Sequence, residues 1–199
     1  MIIYVETNFL MSIAKGQDSQ AQELLQNPPS SLRIVVPSIC FVESLTTLEQ
    51  EEKYNLDFLG KLDIQINQAE RDNSDNARLL LFRLEQSRTS FLQRNNEVKE
   101  RFDVAFNQLI NKSEMITLST RVFQETLSRA IFDKHIIDRI ILECIIFHAG
   151  LHTNENKSFL SSNSKEFGRR EVIEVLRNSG IQYFNKTQSF LGWLQSQSN

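Results

Sequence analysis

The chain has 199 residues, of which 40% are hydrophobic and 24% charged, with a formal net charge of −3. That size and composition support one well-packed domain and argue against disorder, and the mild acidity excludes a protein that coats nucleic acid through bulk positive charge. Two cysteines, Cys40 and Cys144, make no disulfide framework, and neither a signal peptide nor a membrane-length apolar run is present, so a soluble protein of the reducing cytoplasm is expected.

Ile2-Ile3-Tyr4-Val5 is short, apolar and β-prone, and reads as a buried strand. Glu6-Thr7-Asn8 follows, then a helix over Phe9–Lys15 stopped by Gly16, and a second helix over Ser19–Gln26 ended by Asn27-Pro28-Pro29. Arg33-Ile34-Val35-Val36 is the next strand, and Pro37 opens a helix carrying Ile39, Val42, Glu43, Leu45 and Leu48. Strand, helix, helix, strand, helix is the pattern of a parallel sheet covered by helices.

From about 50 to 113 the chain changes character. It has no Pro and a single Gly, Gly60, and Leu81, Leu84, Phe91, Val98, Phe102, Ala105 and Leu109 recur at helical spacing. Two long helices are predicted, split near Asp72-Asn73-Ser74-Asp75, with Ser74 or Asp75 as the cap. Their narrow apolar stripe calls for a partner surface, and we read them as an insertion that packs on the core or grips a substrate, within a single domain over 1–199.

Beyond it, Met115–Leu118 reads as extended, and helices are predicted over Arg121–Phe132 and Lys134–Ala149, the second stopped by Gly150. A strand over Ser158–Ser161, a helix over Arg169–Asn178 stopped by Gly180, a strand over Ile181–Phe184 and a last helix over Gln188–Gln195 complete the chain.

In an open parallel sheet, sites form where strands end and helices begin. Three polar groups occupy such places: Glu6-Thr7-Asn8 after the first strand, Glu43 shortly after the second, and Ser162-Asn163-Ser164-Lys165-Glu166 after the strand at 158–161. Asp138 is flanked by Ile136-Ile137 and Ile140-Ile141-Leu142, where a carboxylate is costly unless it is paired, solvated or bound to metal. Each has an ordinary alternative: Thr7, Asn8 or Ser164 as a helix cap, Glu43 as a surface acid. Carboxylates that meet repel one another, and a hard cation with oxygen ligands is the usual reason to gather them.

These residues resemble the PIN-domain nucleases. Val5-Glu6-Thr7-Asn8-Phe9-Leu10 is similar to the opening motif, Val36-Pro37-Ser38 through Glu43 to the second, Asp138-Arg139-Ile140-Ile141-Leu142 to the third, and Phe159 through Phe167 to the fourth. The Glu-Thr-Asn-Phe start and the Asn-Ser-Lys-acid-Phe end resemble a bacterial subgroup of PIN-like proteins. The resemblance implies a three-layer α/β/α sandwich with a central, mostly parallel sheet and a long helical insertion. It implies a ribonuclease that uses Mg²⁺ or Mn²⁺ held by Glu6, Glu43 and Asp138, with Asn163 and Glu166 on the fourth side and Thr7, Asn8, Ser164 and Lys165 orienting ligands or meeting substrate. Single-stranded or looped RNA, either a toxin role with an antitoxin partner or a housekeeping role in RNA processing, and a homodimer are the associated expectations.

Two positions depart from the family pattern. Glu6 stands where an aspartate is usual, and Ser164 stands at the fourth acidic position. A catalytically silent adapter that binds RNA or protein through its helical middle is therefore the alternative reading. His148 and His152 have metal-binding spacing, but a helix stop at Gly150 and the lack of an evident third ligand set a zinc site aside.

Overall fold

The computed structural model describes residues 1–128 and 135–197. Five strands form one parallel sheet in the order β3-β2-β1-β4-β5: β1 Ile2–Val5, β2 Arg33–Pro37, β3 Ser113–Ile116, β4 Lys157–Leu160 and β5 Ile181–Phe184. Between them lie α1 Thr7–Ala14 and α2 Ser19–Gln26, then α3 Ser38–Ala69 and α4 Asp75–Lys112, then α5 Thr120–Ser128 and α6 Ile136–Leu151, and finally α7 Arg170–Asn178; α8 Thr187–Ser196 closes the chain. The chain steps outward from β1 to β2 and β3, then crosses back to β4 beside β1. Right-handed crossovers therefore put α1–α4 on one face and α5–α7 on the other, giving the three-layer α/β/α sandwich.

Burial explains why the strands are runs rather than alternations. Every residue of β1 and β4 is buried, because helices cover both faces. The core joins the sheet to Phe9, Leu10 and Ile13 of α1, Phe102 and Leu109 of α4, Ile141 and Ile145 of α6, and Phe167.

Three details differ from expectation. Pro37 is the last residue of β2 and the cap of α3 rather than part of its first turn, since its ψ of 131° is extended. α3 then runs 32 residues without a break, so the helical middle grows out of the helix that carries Glu43. Likewise β3 begins directly at Ser113, where α4 ends, two residues earlier than the sequence suggested. The predicted helix ends at Phe132 and Lys134 fall outside the described residues.

α3 and α4 form an antiparallel hairpin capped at Ser74, whose hydroxyl accepts from Ala77 N–H. Glu52 pairs with Lys99, Asp63 with Arg88, and Phe58 with Phe91 along its length. The proximal half packs into the core through Phe41, Phe102 and Phe106. The distal half has only a thin seam of Leu59, Leu62, Ala69 and Ala77, while Tyr54, Leu56 and Phe82 stand in solvent. Each helix thus supplies the partner surface for the other's stripe. Among the described residues, no helix is long and apolar enough to cross a membrane.

Candidate metal centre

β1 and β4 are neighbours although the chain leaves β1 toward β2, so a crevice opens at their carboxyl ends, where ligands bind in sheets of this kind. Glu6 is the first residue after β1 and caps α1, its Oε2 accepting from the Asn8 main-chain N–H at 2.8 Å. Its Oε1 accepts from Ser161 Oγ, also at 2.8 Å, across the crevice from the end of β4. A carboxylate is a natural cap here, where the first-turn N–H groups lack partners. Glu6 itself is the cap; Thr7 and Asn8 are not.

Glu43 reaches the same crevice from the second turn of α3. Its Oε2 accepts from Thr7 Oγ1, so Thr7 orients the second carboxylate rather than the first. Asp138, in the first turn of α6, arrives from the other face and is half-buried. Three elements far apart in the chain thereby bring Glu43 and Asp138 close enough to raise the Glu6 carboxyl, and Glu43 close enough to raise that of Asp138.

The electrostatics are those of crowded acids. Burial, reinforced by the charges of Glu43 and Asp138, pushes the Glu6 carboxyl up to about 7, against the pull of Asn8 N–H and Ser161 hydroxyl. Asp138 is pushed up to about 6, by burial first and then by Glu43, with Glu166 adding to the rise and His135 opposing it. Among the described residues, no lysine or arginine pairs with Glu6, Glu43 or Asp138. Their donors are neutral, all their ligand atoms are oxygen, and their mutual repulsion is what a divalent cation relieves. The set therefore fits Mg²⁺ or Mn²⁺. The thiol of Cys40, buried behind them, is raised well above its usual range by burial and then by Glu6 and Glu43, so it stays protonated.

The fourth side is the turn after β4. Glu166 is mostly buried, pairs with His135 at 3.5 Å and with Arg169 at 3.7 Å, and acts electrostatically on Asp138. Asn163 is tied by its main chain, donating to Ser161 Oγ at 3.1 Å and accepting from Phe167 N–H at 2.9 Å. Ser164 and Lys165 lie exposed on the rim. Ser164 caps no helix, since α7 begins only at Arg170; instead its carbonyl accepts from Gly168 N–H at 3.1 Å. A Cβ on Gly168 would lie 2.4 Å from that carbonyl oxygen, so the turn closes only around glycine.

Two participants escaped the sequence reading. Ser161 holds Glu6, and Tyr183 holds Ser161 by donating from Oη to its carbonyl at 2.9 Å. Their position at the ends of β4 and β5 was visible, but only the strand order puts them behind Glu6. His135 reaches the same turn through Glu166.

Layers, switch crevice and gathered acids define an α/β/α protein with an acidic cluster at the carboxyl ends of its central strands. The chain belongs to the PIN domain family, whose model matches residues 3–167, a span that takes in Glu6, Glu43, Asp138 and Glu166. PIN domains are generally metal-dependent nucleases. Among curated proteins no match is found.

Proposed function

We propose that this chain is a metal-dependent endoribonuclease that hydrolyses phosphodiester bonds in single-stranded or looped RNA, with Mg²⁺ or Mn²⁺ as cofactor. The observation that carries the reading is the gathering of Glu6, Glu43 and Asp138 at one crevice where, among the described residues, no lysine or arginine pairs with them. Glu6, Glu43 and Asp138 would hold the ion, with Glu166 and Asn163 on the fourth side. The bound cation supplies acidification of a coordinated water and charge stabilisation at the phosphate.

The chain's own groups do the positioning. Asn8 N–H and Ser161 Oγ fix both oxygens of Glu6, and Thr7 fixes Glu43, so the carboxylates need little rearrangement to accept the ion. Glu166 supplies the acidic group that Ser164 cannot, two residues further along the same loop. The exposed Ser164 and Lys165 are placed to meet substrate phosphates at the rim. An open crevice suits a flexible single strand better than a rigid duplex. The exposed apolar side chains of the α3–α4 hairpin support a protein partner, the antitoxin of a toxin-type role.

The test is incubation of the purified chain with mixed single-stranded RNA and Mn²⁺, beside Asp138→Asn. Cleavage by the parent and its loss in the variant are expected. Equal inactivity of the two, with RNA still bound, would replace the enzyme by an adapter.

A further inference from the structure

The opposite end of the sheet holds a second cluster. Glu114 is the second residue of β3, His148 lies in the last turn of α6, and His152 is the residue that caps it. One ligand atom from each lies within 4.8 Å of the other two. The sequence argument against this pair fails on two counts: α6 continues through Gly150 to Leu151, and the third ligand comes from a strand 34 residues before His148.

Sheet register explains the meeting. Tyr4, Val35 and Glu114 stand side by side across β1, β2 and β3, so Tyr4 and Glu114 project from the same face, the one beneath α6. Four-residue spacing stacks the two imidazoles, with ring centroids 4.4 Å apart.

We propose that Glu114, His148 and His152 form a structural site for a transition-metal dication, Zn²⁺ before others. Two imidazoles and a carboxylate are donors that borderline metals accept in a tetrahedral shell completed by water, unlike the all-oxygen set around Glu6. The supporting groups are already in place. Tyr4 Oη lies 2.9 Å from His148 Nδ1, and Glu155 Oε1 lies 3.1 Å from His152 Nδ1. Ligating histidines are held in this way, with one nitrogen on a hydroxyl or carboxylate and the other free for the metal. His148 Nε2 faces Glu114 Oε1 at 3.0 Å, and Zn²⁺ would take the place of the proton shared between them, leaving Nδ1–H to donate to Tyr4 Oη. Arg33 steadies both acids, reaching Glu114 Oε2 at 2.7 Å and Glu155 Oε1 at 2.5 Å.

A metal here joins edge strand β3, and with it the end of α4, to the far end of the helix whose first turn carries Asp138. Its role is to brace the scaffold, and the site does not depend on the nuclease reading.

The test is calorimetric titration of the full chain with Zn²⁺, with thermal melts, for the parent, His152→Ala, Glu114→Gln, Tyr4→Phe and Asp138→Asn. The parent and Asp138→Asn are expected to bind Zn²⁺ and to melt at higher temperature with it. His152→Ala and Glu114→Gln should bind at least about tenfold more weakly and lose the rise, and Tyr4→Phe should weaken binding about tenfold or more. His152 and Glu114 are partly exposed, so metal-free melts of their variants should match the parent and show an intact fold. With Co²⁺ as probe, the parent should show a visible ligand-field spectrum that His152→Ala lacks. Failure of the parent to bind Zn²⁺, or a Zn²⁺ response kept by His152→Ala and lost in Asp138→Asn, would overturn the proposal.

Discussion

Replacing Glu6 by Gln should make the metal-free protein more stable, and by an amount that depends on pH. Glu6 is only 4% exposed, and its carboxyl is raised from an ordinary glutamate value of 4.5 to about 7. The folded state therefore holds a proton that the unfolded state has released between those two values. Stability from this group is fully present below 4.5 and is lost as pH rises through 7. At 1.36 kcal/mol per unit, the cost of carrying Glu6 at pH 8 is about 3 kcal/mol, and at pH 5 it is below ~1 kcal/mol. Gln keeps the shape and has no charge to desolvate, and the Ser161 hydroxyl can turn to suit the amide. In a chain of this size about 3 kcal/mol corresponds to a rise of roughly 6–12 °C in Tm. The assay is thermal melting of parent and Glu6→Gln in EDTA at pH 5 and pH 8, repeated with Mn²⁺. We expect a large gap at pH 8, a small one at pH 5, and a parent that closes the gap at pH 8 when Mn²⁺ is added. A variant no more stable than the parent at pH 8, or a gap of equal size at both pH values, would refute the reasoning.

Other outcomes follow from the same geometry. Because Glu6 and Asp138 are pushed up to about 7 and about 6, Mn²⁺ must displace protons below neutrality, and its affinity by calorimetry should fall by about tenfold from pH 7 to pH 6, whereas a flat profile would separate these acids from the metal. Gly168→Ala forces a Cβ against the Ser164 carbonyl and should cost about 1–3 kcal/mol in denaturant melts, with a loss of RNA cleavage as Asn163 and Glu166 shift. Phe102→Ala empties a site where the ring is 1% exposed and stacked on Phe106, and should cost about 3–5 kcal/mol in the same melts.

Local chemistry made much of the molecule legible. Apolar runs marked β1, β2, β4 and β5, and Gly16 and Gly180 ended helices because both sit at positive φ, 67° and 70°, where other residues are strained. Glu6 and Glu43 stood out because they follow strands, and Asp138 because a carboxylate among isoleucines is expensive. The signal was weaker where structure runs against local cues. Gly150 did not stop α6, whose packing against α5 and the sheet outweighs one residue's propensity.

What the sequence determined alone was periodicity, punctuation and the kinds of side chain at each strand end. Tertiary structure decided which distant residues share a space: Ser161 with Glu6 across 155 positions, Thr7 with Glu43 across 36, and His148 with Glu114 across 34. The reason is physical. Strand order and register are set by burying both faces of the sheet at once, a condition on the whole chain that no single segment records.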